Sequence, residues 1–264
     1  MDMSGWQLSG DAPTAYTRYA YIIMEPWTDD LISQALCEKG ERVLDIACGT
    51  GLVASRVNLV SNAECKVSGI DINEGMLNVA KKNADIEWHL GSATELPFKD
   101  GSFDVVLCQQ GLQYFPDRAA AAREMARVLI PGGRVSLNVW GSLDRQPFYV
   151  ALVDGIGEFL GAEAATAFDL AFSLNTSEEL RQLADDAGLR DIKVRFEHRT
   201  IRFHDLREMV AGFMQATPIA GQFMSLSEDR RNAFVGRVSE LLKGYVDDAG
   251  MAVPQENHYL TATR

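Results

Sequence analysis

Val43-Leu44-Asp45-Ile46-Ala47-Cys48-Gly49-Thr50-Gly51 is the stretch that decides the fold. Its first half is a short apolar run of the kind found in buried strands, and its glycines form a turn that leads into a helical pattern from residue 52. A strand, a glycine turn and a helix in this order make the first unit of a parallel sheet. In such sheets, ligands bind where the strand ends and the helix begins.

Short β-type runs alternate with helical patterns on both sides of this stretch, which predicts a doubly wound α/β fold. The predicted strands cover residues 42–47, 66–71, 86–90, 103–109, 134–140, 191–203 and 258–263. The predicted helices cover residues 52–60, 74–83, 117–129, 148–160 and 177–187, and helices dominate residues 206–245.

Composition excludes several function classes. The 264 residues carry a formal net charge of -12, and nucleic-acid binders usually display a basic face, so no nucleic-acid partner is expected. Four cysteines without CxxC spacing predict neither a metal site nor a disulfide framework. No leader segment and no apolar stretch long enough to span a bilayer is evident, so we expect no membrane insertion and a cytoplasmic protein.

Two cofactor classes fit the glycine turn. Gly49, Gly51 and Ala54 match a GxGxxA pattern with Asp71 about 20 residues later, so a nicotinamide-dependent oxidoreductase is an alternative. Charge favours S-adenosylmethionine, because Asp45 at the strand tip would repel an anionic pyrophosphate and attract an ammonium group. Asp71 can accept hydrogen bonds from ribose hydroxyls in either case.

Five consecutive blocks resemble the seven-stranded Rossmann-like methyltransferases that use S-adenosylmethionine, most of all the branch of ubiquinone/menaquinone biosynthesis methyltransferases. The blocks are residues 43–51, 69–77, 93–98, 103–115 and 127–133. The resemblance implies a mostly parallel seven-stranded sheet, with an antiparallel last strand between the fifth and sixth. It also implies lid helices over residues 1–39, a cofactor-binding core over 40–204, a helical insertion between strands 6 and 7 over 205–255, and a closing strand over 256–264.

Carried over by position, the resemblance also implies a set of cofactor-binding residues. The glycine turn would hold the methionine part, Asp71 the ribose, and the remaining residues the adenine, the floor beneath the methionine and the lid. The set is Tyr16, Trp27, Asp45, Gly49, Thr50, Gly51, Asp71, Ile72, Met76, Ser92, Ala93, Gln109 and Gln110. Many relatives carry an acidic residue where Ser92 stands, so a weaker bond to the adenine amino group is expected.

The resemblance implies methyl transfer to carbon or oxygen of a small acceptor, and the apolar and soft side chains of the predicted insertion suggest that this acceptor is partly hydrophobic. Proximity and alignment are the protein's main contributions, and no catalytic base can be named from the sequence. Packing or surface roles are expected for the histidines and for Tyr114. Phe213, Met214, Phe223 and Met224 are either a substrate cover or ordinary core. A module that binds the cofactor without transferring methyl groups is the non-enzymatic alternative.

Overall fold

A computed structural model describes Leu8 and residues 10–264, and within these residues the chain forms one mixed sheet. Its strands are β1 Arg42–Ile46, β2 Lys66–Asp71, β3 Glu87–Leu90, β4 Phe103–Gln109, β5 Leu129–Trp140, β6 Arg190–Phe203, β7 Val246–Asp247 and β8 Gly250–Thr263. The strand order is β3-β2-β1-β4-β5-β8-β6, and the two-residue β7 pairs with β8. Strands β1 to β5 pair in parallel, whereas β8 runs antiparallel to both β5 and β6. The predicted fold class is confirmed, including the last long strand between the fifth and the sixth.

Helices cover both faces of this sheet and extend over one edge. They are α1 Ala12–Ala15, α2 Tyr21–Ala35, α3 Leu52–Val60, α4 Glu74–Asn83, α5 Arg118–Val128, α6 Pro147–Leu160, α7 Ala162–Asp169, α8 Ser177–Asp186, α9 Leu206–Gln215, α10 Ala220–Ser225 and α11 Glu228–Leu241. A π-helical turn, Tyr16–Ala20, joins α1 to α2. None of the helices within the described residues is both long and apolar enough to cross a bilayer.

Local sequence signals account for where several helices begin. Asn73, Asp117, Thr176, Asp205 and Ser227 each precede a helix and accept a hydrogen bond from the backbone N–H three residues later. Each of these side chains satisfies a donor that the first helical turn leaves unpaired. The helix starts are therefore encoded by residues next to them in the sequence.

Two predicted strand starts lie several residues from those in the structure, and one helix was missed. Strand β8 begins at Gly250 instead of residue 258, and β5 begins at Leu129 instead of residue 134. Helix α7 was not predicted. Pro254 is a signal against a strand, because proline lacks the backbone donor that a central strand uses. Pairing with β6 from Phe203↔Met251 to Arg190↔Thr263 overrides that local signal.

Two hydrophobic cores lie on opposite faces of the sheet. The larger core packs α2, α3, α6 and α9 against one face, and its largest fully buried side chains include Trp27, Trp140 and Phe148. The second core packs α5 and α8 against the other face through residues such as Leu44 and Val106. Because both faces are covered, the central strands read as continuous apolar runs in the sequence.

Candidate cofactor and acceptor site

A cavity of about 520 Å³ lies beyond the carboxyl ends of β1, β2, β4 and β5. Ala47, Asp71, Gln109 and Trp140 reach its wall from the ends of these four strands. A second cavity of about 40 Å³ adjoins it at the glycine turn and is lined by Asp45, Gly49 and Thr50 among others. The position matches the edge of open α/β sheets where ligands bind, and the larger volume falls within the usual range for small-molecule sites.

The glycine turn is built from left-handed backbone. Ala47, Gly49 and Gly51 have φ angles of 56°, 55° and 91°. A Cβ atom on Gly51 would lie 2.7 Å from the Trp88 ring, so glycine is required there by both conformation and space. Thr50 does not face open solvent; its hydroxyl donates to the Tyr21 hydroxyl at 2.8 Å and ties the turn to α2.

Asp45 is almost fully buried beneath this turn. Its Oδ2 accepts from the Ala54 N–H at 3.0 Å, whereas Oδ1 is buried without a hydrogen-bond partner among the described residues. Burial raises the pKa of Asp45 from 3.8 to about 8, and the nearby Asp71 carboxyl adds to the rise. An unpartnered carboxylate oxygen beside a small cavity fits an ammonium group, which supplies both the missing donor and the opposite charge.

Asp71 stands at the end of β2 and lines the larger cavity. Its Oδ2 accepts from the Gly49 N–H and its Oδ1 from the Asn73 N–H, both at 2.8 Å. Burial raises the pKa of Asp71, and these backbone donors oppose that rise. Each carboxylate oxygen can accept a further bond, so the side chain can hold two ribose hydroxyls while it braces the glycine turn.

The predicted adenine residues are all part of the lining of the larger cavity. Ile72, Met76, Ser92 and Ala93 all line it. The Ser92 hydroxyl already accepts from the Thr94 N–H at 3.2 Å and pairs with the Thr94 hydroxyl at 2.8 Å. This sharing leaves Ser92 with less capacity for the adenine amino group than a carboxylate would have.

The two glutamines after β4 are held differently. The Gln109 amide is used by α2: its Nε2 donates to the Met24 carbonyl at 2.8 Å and its Oε1 accepts from the Thr28 hydroxyl at 2.9 Å. Gln110 lines the larger cavity and is held by Asn257 and Gln113. Gln109 therefore fixes the helix that covers the site and also lines both cavities, whereas Gln110 lines the larger cavity alone.

The structure places the two predicted lid residues in different surroundings. Tyr16 lines both cavities. Trp27 lines neither; its side chain is fully buried, with its carbonyl accepting from the Tyr259 hydroxyl at 2.8 Å and the Arg199 guanidinium 5.2 Å from its ring centre. The structure thus places Trp27 in the core. Trp27 lies on the face of α2 that packs against the sheet, and it is therefore not part of the proposed site.

Six aromatic side chains that also line the larger cavity form what we call the aromatic wall. It consists of Tyr114, Phe115, Trp140, Tyr149, Phe168 and Phe213. Sequence reasoning singled out Phe213 as a candidate and treated Tyr114 as packing, but it missed the others. The six wall residues come from five different segments, so no local pattern links them. Met214 is also buried, but it does not line the cavity.

The wall carries no charge. Among the described residues that line the larger cavity, Asp71 is the single Asp, Glu, Lys, Arg or His. Burial raises the pKa values of Tyr16, Tyr114 and Tyr149 above the ordinary 10. These phenols are protonated at neutral pH, so they can donate hydrogen bonds and do not act as bases.

Fold and site together define a Rossmann-like protein that binds an adenosyl cofactor bearing an ammonium group. A family model described as a methyltransferase domain matches residues 44–137. The chain is 34% identical over 181 residues to the chloroplastic 2-phytyl-1,4-beta-naphthoquinone methyltransferase of Arabidopsis thaliana, which covers 61% of this chain and 69% of that protein. It is 31% identical over 185 residues to demethylmenaquinone methyltransferase of Staphylococcus aureus, and the aligned region covers 64% of this chain and 76% of that protein.

Solved structures share the fold. The YcgJ protein of Bacillus subtilis superposes with a TM-score of 0.60 at 18% identity, covering 91% of this chain and 98% of that one. A phosphoethanolamine N-methyltransferase of Haemonchus contortus, in complex with S-adenosyl-L-methionine, gives a TM-score of 0.60 at 20% identity over 96% of this chain and 57% of that one. The chain belongs to the S-adenosylmethionine-dependent methyltransferases. The nicotinamide alternative and the non-catalytic alternative are not favoured by these findings.

The raised pKa of Asp45 predicts that cofactor binding depends on pH. A bound ammonium group favours the ionised carboxyl, so its pKa is lower in the complex than the value of about 8 in the free protein. Binding then releases a proton below pH 8, and affinity for S-adenosylhomocysteine should rise from pH 6 to 8 by up to about tenfold per unit. Calorimetry in buffers of different ionisation enthalpy measures both effects.

Asp45→Asn is the matched variant for this test. It should bind S-adenosylhomocysteine more weakly at pH 8 and lose the pH dependence. In the free protein, the raised pKa makes the Asp45 contribution to folding less favourable as pH rises from about 4 to 8. The asparagine variant should therefore lose less stability than the wild type over that range. A wild-type affinity that stays constant from pH 6 to 8 would contradict the assignment.

Proposed function

We propose that this protein transfers a methyl group from S-adenosylmethionine to a ring carbon or to a hydroxyl oxygen on the ring of a small, uncharged aromatic acceptor. The observation that carries the proposal is the uncharged aromatic wall of the larger cavity. Flat apolar molecules gain both area burial and ring contacts against such a wall. A phosphorylated or cationic acceptor would need a charged partner that the described wall does not supply.

The chemistry assigned to the protein is orientation and exclusion of water. The cofactor supplies a methyl group on a sulfonium, which is already an activated leaving group. Buried phenols with raised pKa values leave the aromatic wall without a base at neutral pH. We infer that the acceptor brings its own activation, as a phenol or hydroquinone ring does, and that alignment accounts for most of the rate.

The similar proteins named for naphthoquinone and menaquinone substrates support a naphthoquinol-type acceptor for this chain as well. Tritium transfer from methyl-labelled S-adenosylmethionine to reduced 1,4-dihydroxynaphthalene tests the proposal, with phosphoethanolamine as the charged comparison. We expect label in the naphthalene product, at carbon or oxygen as mass spectrometry and NMR define, and none in phosphoethanolamine. Transfer to phosphoethanolamine alone would overturn the proposed acceptor class.

We also propose that four segments of the chain have separate roles in binding the cofactor and the acceptor. Residues 1–39 act as the lid and residues 40–204 as the cofactor-binding core. Residues 205–255 form the acceptor cover, and residues 256–264 close the sheet. Support comes from Phe213, Ala216, Thr217 and Pro218, which reach the cavity from α9 and the turn after it. The part of the lid before residue 10, apart from Leu8, lies outside the described residues. Cytoplasmic location remains a prediction from the sequence.

Phe213 tests this division. Its side chain is 7% exposed and lines the cavity, whereas the neighbouring Met214 is fully buried away from it. Phe213→Ser should lower methyl transfer by about tenfold or more through loss of acceptor contacts, with S-adenosylhomocysteine affinity changed less than about twofold. Met224→Ser, at an exposed position on α10, is the control. Equal losses of cofactor and acceptor binding in Phe213→Ser would count against a separate cover.

A further inference from the structure

The Gln110 amide is held from both sides inside the larger cavity. Its Nε2 donates to the Asn257 Oδ1 at 3.1 Å, and its Oε1 accepts from the Gln113 Nε2 at 2.8 Å. A primary amide has two N–H groups and two acceptor positions on its oxygen. These two bonds therefore leave one N–H and one acceptor position on an amide that can no longer rotate freely. Gln110 lines the larger cavity, so this pair can meet a ligand there.

The backbone at Gln110 is in an unusual conformation for a glutamine. Its φ angle is +54°, and its N–H donates to the Asn138 carbonyl at 3.0 Å. The next residue is Gly111, where a Cβ atom would lie 2.6 Å from the Ala47 Cβ. Asparagine or glycine adopts left-handed backbone at lower cost than glutamine does. The glutamine is thus explained by what its side chain does, and not by the turn.

The residues that hold Gln110 are themselves incompletely paired. Asn257 and Gln113 are 0% and 1% exposed, yet Asn257 Nδ2 and Gln113 Oε1 have no hydrogen-bond partner among the described residues. Buried polar atoms without partners destabilise a fold, and apolar side chains of similar size would fill the same space without that cost. Stability alone does not account for this three-amide cluster, whereas a fixed orientation of the Gln110 amide does.

We propose that Gln110 selects the acceptor by binding a ring hydroxyl, with Gln113 and Asn257 as its positioning residues. A hydroxyl both donates and accepts, so it matches the remaining acceptor position and N–H of the amide, whereas a carbonyl or a methoxy oxygen uses the N–H alone. The uncharged aromatic wall receives the ring that carries the hydroxyl. This inference rests on the proposed function and narrows its acceptor to hydroxylated, uncharged aromatic rings.

Matched probes that differ by one group test the inference. Fluorescence titrations of protein saturated with S-adenosylhomocysteine would compare 2-naphthol, 2-methoxynaphthalene and naphthalene. We expect 2-naphthol to bind about tenfold more tightly than naphthalene, the usual effect of one or two satisfied hydrogen bonds, with the methoxy compound between them. Gln110→Met should bring the ratio of naphthalene to 2-naphthol dissociation constants close to one. Gln182→Met, on the exposed face of α8, should leave it unchanged.

A double-variant comparison separates positioning from simple destabilisation. Asn257→Leu and Gln113→Met should each lower the same ratio in the wild-type background and have no further effect in the Gln110→Met background. A general loss of structure would weaken both probes together and leave the ratio unchanged. Ratio losses that add to that of Gln110→Met would overturn the positioning roles.

Two outcomes would overturn the assignment of Gln110 itself. One is a Gln110→Met variant that loses S-adenosylhomocysteine affinity but keeps the hydroxyl preference, because Gln110 would then belong to the cofactor floor. The other is a wild-type protein that shows no preference for 2-naphthol over naphthalene. Methyl transfer to reduced 1,4-dihydroxynaphthalene is measured separately, so failure of this inference is distinguishable from failure of the proposed function.

Discussion

Asp71→Ala is expected to weaken S-adenosylhomocysteine binding by about 1–3 kcal/mol, the cost of losing charge-assisted hydrogen bonds. Two effects combine in this variant. The ribose loses its acceptor, and the Gly49 N–H loses the carboxylate oxygen that holds it at 2.8 Å. Calorimetry at a fixed pH measures the change. Asp71→Asn retains one acceptor oxygen and should lie between the wild type and the alanine variant.

Asp186→Ala is a suitable control for this experiment, because Asp186 lies exposed at the end of α8, where its carboxylate accepts from Gln182. It should leave the dissociation constant unchanged within about twofold. Circular dichroism establishes that each variant is folded. An Asp71→Ala protein that is folded and binds S-adenosylhomocysteine as tightly as the wild type would show that Asp71 only braces the turn.

Phe148→Ala should cause the largest loss of stability, about 3–5 kcal/mol, because a fully buried phenylalanine leaves a cavity that its neighbours cannot fill. The Phe148 ring packs against Tyr149, Phe203 and Phe213 at centroid distances of 5.5, 5.3 and 5.5 Å. Two of these neighbours line the larger cavity. The variant should therefore also lose acceptor binding, while the distant glycine turn stays formed.

Phe196→Ala provides the matched control, since Phe196 is 47% exposed on β6. Its removal should cost less than about 1 kcal/mol. Urea denaturation of both variants, followed by tryptophan fluorescence, compares the two free energies of unfolding. Similar losses for Phe148→Ala and Phe196→Ala would contradict the description of the core beneath the cavity.

Features that depend on neighbours in the sequence were predictable. The turn at Gly49 and Gly51 can be recognised in the sequence because glycine tolerates left-handed backbone. Helix starts such as the one after Asn73 can be recognised from the capping side chain. The acidic residue at the end of β2 follows from the same local logic. These predictions need only residues within a few positions of each other.

Features that depend on pairing between distant segments could not be predicted from the sequence. Local pattern started the last strand at residue 258, but pairing with β6 extends β8 back to Gly250 through Pro254. The helical pattern of residues 16–27 allowed either face of this segment to meet the cofactor. Only docking against the sheet turned Tyr16 toward the cavity and Trp27 into the core.

The sequence by itself determined the strand–turn–helix unit at residues 43–51, the acidic residues at the tips of β1 and β2, and through them the class of cofactor. Only the tertiary structure showed which residues form the aromatic wall and which hydrogen bonds hold the Gln110 amide. Its partner Asn257 lies 147 residues away in the sequence. The physical reason is the range of the interactions. Backbone conformation and capping act over a few residues, whereas a cavity forms only where packed elements bring remote side chains together.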